Sequence, residues 1–543
     1  MELNKIVKTH DRVFYLIWCL IVTFLLISIL FPLICSFSTP TLSDFKKVFT
    51  QQRYLKTILN TLIECICSTS FSVLFGYLYA YAIVKANIPF KRFFSLIPIL
   101  HLVTPPFVGG LSFILLFGRQ GFFTHTILNL DISLYGFWGL LISQVLCFFP
   151  VAYLICLQSL AGINQNYEQA ALGMGASKLK IFFTVTLPLS KQGIFSSFLF
   201  ITVSVLSDFG NPLIVAGRFK VLAVEIYTQL TGWLNSGISV VLGLILVVPS
   251  VILFILQLRL SKKHFLKLAT IGAKTSFSTS IKSAKITKCL LLMFCAFLSF
   301  LVLSQFVSIV IGSFQELWGI NTNFTFRHIK SVFEYSKQLI NSLIFAFIAS
   351  LLATLIASFS SFYINRNNCK FSNFYDVLIQ LPSCIPGSLL GLSILIAANK
   401  IHFTGSKILI IIAMTISFLP FSYRIISSSF SQIKLNLDEA AKSLGANKLN
   451  LLCSILMPIS KKGINSAFTY NFVRAVGTVS SVIFLISFDS PLSSVTILNL
   501  AEQGDWGKAC AFALVLTCLT FIILKVESLM YEFIRKKWKQ KHI

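Results

Sequence analysis

Charge is scarce in this chain, and negative charge is scarcer still. Only 12% of its 543 residues are charged, about half the share of a typical soluble domain. Asp plus Glu number 18 against 45 Lys plus Arg. With 56% hydrophobic residues and a mean hydropathy of +0.84, that dearth excludes a soluble globular enzyme, a disordered tail, a collagen-like chain and a disulfide-rich secreted scaffold. The 13 cysteines contain no C-x-x-C pair, so neither a disulfide framework nor a zinc site is expected. Those in apolar runs, such as Cys19, Cys147, Cys295 and Cys518, read as small buried hydrophobes. No G-x-x-x-x-G-K-[ST] loop is present; the nearest string, Gly504-Asp505-Trp506-Gly507-Lys508, lacks its spacing. His101 and His402 stand alone, without a His/Asp/Glu cluster around them. No catalytic, cofactor-binding or metal-ligating set is therefore expected, and this chain is not expected to bind and hydrolyse ATP through such a loop.

What is there is a series of long apolar runs. A bilayer core about 30 Å thick needs about 20 apolar residues per helical span. Runs fall near 14–35, 60–84, 94–118, 136–158, 193–215 and 237–258, then near 289–313, 340–364, 376–398, 406–427, 464–488 and 509–530. The expected fold is an all-α polytopic membrane protein of about twelve transmembrane helices, six plus six. The first run is too long for a signal peptide and lacks a small-residue cleavage site, so it reads as an uncleaved span. Between the sixth and seventh runs, residues 259–288 carry eight Lys or Arg and no Asp or Glu. That segment reads as a basic cytoplasmic linker joining a first half, 1–258, to a second, 289–543. The net charge of +27 then reflects cationic loops held inside rather than nucleic-acid binding. Basic residues at both ends (Lys5, Lys8 and Arg12; Arg535, Lys536 and Lys537) place both termini in the cytoplasm. Asp489, Glu502 and Asp505, after the eleventh run, suit the outside.

The halves are repeats. Residues 167–194, YEQAALGMGASKLKIFFTVTLPLSKQGI, align with 437–464, LDEAAKSLGANKLNLLCSILMPISKKGI, at a constant offset of 270, with 11 of 28 positions identical. Pro150 and Tyr153 match Pro420 and Tyr423 at the same offset. Asn60 matches Asn341, and Gly110-Leu111-Ser112 matches Gly391-Leu392-Ser393, at 281. Matched segments share one predicted sidedness, so the repeats are parallel rather than inverted. Each copy of the long match follows the fourth span of its half. It reads as a short helix with an acidic start, where carboxylates favour the dipole, interrupted by Gly175 or Gly445. A second amphipathic stretch follows, ended by Pro188 or Pro458. The product is a compact helical elbow presented twice.

Gln169-Ala170-Ala171…Gly175 and Glu439-Ala440-Ala441…Gly445, each followed by Pro188 or Pro458, resemble the EAA motif of type I ABC importer permeases. The resemblance spans nearly the whole chain as two fused permease domains. It implies that each elbow is a coupling helix docking on an ATPase subunit, with two such subunits inside, ATP bound on them, and a solute-binding protein outside. Where the motif usually has Glu this chain has Gln169, and Glu168 stands beside it as a substitute. Ser207-Asp208-Phe209-Gly210-Asn211-Pro212 and Phe472-Val473-Arg474-Ala475-Val476-Gly477 are similar to fused iron(III)-type permeases. That resemblance implies a bacterial inner-membrane protein moving a small charged solute. Ferric iron comes first, with phosphorylated sugars, phosphonate, thiamine or polyamines also open.

Glu64, Asp208 and Arg474 fall in apolar runs, where ionisable groups cost at least about 2.5–3.5 kcal/mol and face a cavity or a partner. Asp208 and Arg474 lie on equivalent helices, and are expected to line the translocation path or to form a buried ion pair. Glu64, near the outer end of its span, reads as a packing or interface residue. Pro105-Pro106 and Pro386 read as kinks. The competing reading, an ion-coupled secondary transporter, leaves the paired elbows unexplained.

Overall fold

The structure, a computed structural model, describes residues 2–103, 107–129, 134–268, 285–366 and 370–541. Helices dominate, as apolar runs in lipid require, because a helix satisfies its own backbone hydrogen bonds where water is absent. Among the described residues nine helices are long and apolar enough to span: Arg12–Phe37, Gln52–Val84, Phe137–Ala161, Lys178–Leu206, Ser236–Gln257, Lys285–Phe314, Arg327–Arg366, Lys407–Ser431 and Trp506–Glu527. A tenth arises if Phe371–Cys384 and Gly387–Lys400, bent by 105°, count as one.

The expected count of twelve is not reached, for local reasons. The third run contains two helices, Lys91–Val103 and Phe107–Phe117, each too short to span; Pro105 and Pro106 lie outside the described residues. The eleventh run is helical only over Lys461–Val476, 16 residues or about 24 Å at ~1.5 Å per residue. Gly477 caps it, and the Gly-Thr-Val-Ser-Ser sequence that follows, poor in helix formers, makes turns. Hydropathy counted those turn residues as span. The bend at Pro386 has the cause expected of a proline: Ile385 before it is extended (φ −98°, ψ 117°), because the pyrrolidine ring disfavours helical backbone there.

The proline of the first elbow departs from expectation. The chain stays helical from Lys178 to Leu206, straight through Pro188. A π-helical stretch, Phe182–Thr186, precedes it. The wider turn moves the carbonyl that the ring would strike. Pro32 and Pro458 likewise follow π stretches, Leu26–Leu30 and Leu451–Leu456. In the second elbow the helix breaks at Ser460, two residues beyond Pro458.

The described residues form two compact units. One comprises Met1–Thr41, Ser331–Asn499 and Phe512–Ile543; the other comprises Leu42–Lys330 and Leu500–Ala511. The sequence halves therefore exchange first helices. In the unit built on the second half, Trp18 stacks on Tyr363 at 4.4 Å and Phe14 meets the edge of Phe362 at 5.3 Å. In the unit built on the first half, Cys295, Leu298 and Val302 are buried with Tyr77, Phe149 and Tyr153, and Tyr79 hydrogen-bonds Ser299 at 2.9 Å.

Small residues allow the closest helix contacts, as in other membrane bundles. A Cβ on Gly193 would lie 2.3 Å from Ser159 Cβ, and one on Gly463 2.1 Å from Ser429 Oγ; both members of the contact repeat at offset 270. Gly110 faces Asn211 and Gly391 faces Ser481, which accounts for the recurring glycine. Of the cysteines singled out, Cys147 and Cys295 are buried, whereas Cys19 and Cys518 lie exposed on their helices. Those two sit within spans, where a weakly polar thiol needs no burial in protein.

Candidate functional site

The elbows are built alike. Gln165–Gly173 begins at Asn164, whose side chain accepts the Asn166 N–H at 3.0 Å. It ends with Gly175 N–H donating to Leu172 O (2.9 Å) and Ala176 N–H donating to Ala171 O (3.0 Å). In the second copy Gly445 donates to Lys442 O and Ala446 to Ala441 O, both at 2.9 Å. This paired closure requires a left-handed residue after the last helical turn. Gly175 and Gly445 supply it, with φ of +79° and +83°. The Ala-Ala-x-x-x-Gly spacing is thereby accounted for: the second alanine is the buried acceptor and the glycine is the turn. The next helix restarts at once, with Ser177 accepting the Lys180 N–H at 3.3 Å and Asn447 accepting the Asn450 N–H at 2.8 Å.

Motif residues divide between inside and outside. Ala171 and Ala441 are buried. Gln169, Ala170, Glu439, Ala440, Pro188 and Pro458 are exposed, as are Gly175 and Gly445. Glu168 is 5% exposed and turns inward, to Lys85 Nζ at 2.9 Å and the Thr186 hydroxyl at 2.9 Å. It therefore cannot substitute for a carboxylate at position 169. Its counterpart is Asp438, whose Oδ2 is 2.5 Å from Arg366 Nε. Burial raises the Asp438 carboxyl above its usual range, with Arg366 and Lys442 pulling it down and Glu439 pushing it up. Beside each glycine sits a large bare apolar side chain, Met174 at 81% exposure and Leu444 at 88%.

A polar cluster lies within the unit built on the first half. Asp208 occupies the break between Lys178–Leu206 and Gly210–Val215. Its Oδ2 accepts from Gln144 Nε2 (3.1 Å) and Asn211 Nδ2 (3.0 Å). Ser143 donates to Asn211 Oδ1 at 3.2 Å. Glu64, 2% exposed, and Gln144, fully buried, each carry one oxygen without a hydrogen-bond partner. At the equivalent places the second half has Phe345, Met414, Thr478 and Ser481, so the two carboxylates belong to one half alone. Arg474 is half-buried near the end of Lys461–Val476, in the other unit, and makes no ion pair with a described residue of that unit.

Sequence reading missed a further polar group. Asp376 accepts from the Tyr423 hydroxyl (2.5 Å) and Gln380 Nε2 (2.8 Å), while Arg424 Nε donates to Gln380 Oε1 (3.2 Å). Asp376 and Gln380 at i,i+4 were the available signal, at the margin of an apolar run.

The sequence pattern of the family described as binding-protein-dependent transport system inner membrane component matches residues 72–265 and 349–540. The chain belongs to that family. Each match contains one elbow, so this permease carries the family's domain twice. It is 30% identical over 477 residues to the ferric transport system permease protein FbpB of Actinobacillus pleuropneumoniae, covering 84% of this chain and 68% of that one. A putative ferric transport system permease protein FbpB 1 of Haemophilus influenzae is 30% identical over 463 residues, covering 82% and 72%. A putative 2-aminoethylphosphonate transport system permease protein PhnV of Salmonella typhimurium is 23% identical over 239 residues, 43% of this chain and 89% of that one. The permease is thus a multi-pass inner-membrane transport component built of fused repeats.

Proposed function

We propose that this permease is the transmembrane subunit of an importer driven by ATP hydrolysis on two partner ATPase subunits. Each ATPase docks on one elbow, an extracytoplasmic binding protein delivers the solute, and both termini lie in the cytoplasm. ATP is held by the partners, and this chain binds no cofactor of its own. The observation that carries the reading is the repeated elbow surface. A rigid turn presents Met174 or Leu444 bare to its surroundings, with Gln169 or Glu439 exposed beside it. The same exposed apolar side chain beside the same turn at both elbows suits two copies of one partner. Helices held at both ends by their own hydrogen bonds move as bodies, so a displaced elbow moves the spans on either side of it. Only contacts that differ between inward-facing and outward-facing states drive such an exchange.

Ferric iron is the solute this reading puts first, because the relatives covering more than four-fifths of the chain are ferric permeases whereas the phosphonate relative covers less than half. Asp208 and Arg474 are proposed to line the path. Asp208, Gln144 and Asn211 offer oxygen-rich polarity suited to a cation or its ligand. Gentle detergent purification of the tagged chain, with mass spectrometry of what accompanies it, tests the assembly. Recovery of an ATPase carrying a phosphate-binding loop supports it. Repeated recovery of the folded chain alone refutes it, and uptake driven by proton or sodium gradients is then the assay to run.

A further inference from the structure

Two buried ion pairs occupy equivalent places in the two halves, and nothing in the docking surface uses them. Lys85 follows the last turn of Gln52–Val84, and Arg366, 281 positions later, is the last residue of Ser336–Arg366. Glu168 and Asp438, 270 positions apart, sit in the first turn of the two elbow helices. The pairs Lys85–Glu168 (2.9 Å) and Arg366–Asp438 (2.5 Å) have side chains no more than 10% exposed. Each cation stands at a helix C-terminus and each anion at a helix N-terminus, so both dipoles favour the pair. Both residues change type between the halves, Lys for Arg and Glu for Asp, yet the contact is kept. A buried pair is weak evidence for stability, since apolar replacements of both partners often serve equally well. Its retention at both sites points to a role other than holding the fold.

We propose that each pair is a strut that carries displacement of the elbow to the second span of its half. Peptide bonds join an elbow only to the span before it and the span after it. The strut adds a third attachment, to Gln52–Val84 in one unit and Ser336–Arg366 in the other. Auxiliary bonds brace each end: Thr186 donates to Glu168 Oε1, and Arg366 Nη2 donates to Ile433 O at 3.3 Å. Lys85 and Arg366 are positioning residues that act through the elbow and need not touch ATPase or solute.

This inference rests on the ATPase-driven reading, and the test separates the two. The purified complex is reconstituted with the binding protein recovered alongside it. ATP hydrolysis is then measured with and without that binding protein, which requires no knowledge of the solute. The variant is Lys85→Met/Glu168→Gln, which removes both charges together and leaves no orphan buried ion. It is expected to assemble and hydrolyse ATP at the basal rate, while stimulation by the binding protein falls about tenfold. Lys85→Glu/Glu168→Lys is expected to recover part of the stimulation, and Lys85→Arg, the second half's own chemistry, all of it. Arg366→Met/Asp438→Asn is expected to act in the same way. Wild-type stimulation in the double-neutral variant overturns the strut, as does a lowered melting temperature with stimulation intact. A wild-type complex that hydrolyses no ATP overturns the underlying reading instead.

Discussion

Replacing Gly175 separates backbone conformation from side-chain size as the reason a glycine closes each elbow. Its φ of +79° lies in the left-handed region, and a Cβ placed there meets no heavy atom within 4 Å. An alanine thus fits sterically but carries a left-handed penalty of about 1–2 kcal/mol. The closure it opposes consists of two hydrogen bonds, Gly175 to Leu172 and Ala176 to Ala171, each contributing about 1 kcal/mol net. Strain and closure are of similar size, so the elbow spends a substantial fraction of its time unwound. If docking needs the closed form, apparent affinity for the ATPase falls by the closed fraction, about twofold where strain and closure cancel. Asparagine is larger than alanine but tolerates the left-handed region, and valine tolerates it least. The expected order of affinity is Gly, Asn, Ala, Val, read by titrating purified ATPase against the permease in nanodiscs, with Gly445 treated identically. Equal binding by the alanine variant refutes the closure argument. An asparagine variant weaker than alanine shows that size at the docked surface governs instead.

Other outcomes follow from single contacts. Arg474→Met is expected to abolish uptake while the complex assembles at normal yield; unchanged uptake removes Arg474 from the path. Because burial raises the Asp438 carboxyl above its usual 3.8, ionising it costs more in the folded state than in the unfolded one. That penalty is absent below the unfolded value and complete above the folded one. Relative to Asp438→Asn, the wild-type melting temperature should therefore fall as pH rises from about 4, and parallel pH profiles contradict this. Gly193→Ala drives a Cβ to 2.3 Å from Ser159 Cβ and should cost about 1–3 kcal/mol of stability by overpacking. Ser159→Gly in the same chain should recover most of it, as thermal unfolding of the purified permease would show.

Sequence alone determined the class, the repeat and the position of the elbows. Apolar runs long enough to span are dictated by bilayer thickness, and the offset of 270 places the two motifs without coordinates. Even the glycines were legible, because few residues other than Gly serve a left-handed helix end. Tertiary structure decided what depends on neighbours remote in sequence. Glu168 and Gln169 are adjacent and both polar; only the position of Lys85, 83 residues earlier, shows that Glu168 turns inward and leaves Gln169 outside. Hydropathy could not reveal that Gly477 ends a helix inside an apolar run, since turn and span there share a composition. Nor could it show that the first helices of the halves change places, because an apolar helix face fits many partners. Lipid exposure fixes how apolar a helix must be, while close packing of particular side chains, Trp18 against Tyr363 or Tyr79 against Ser299, fixes what it packs against.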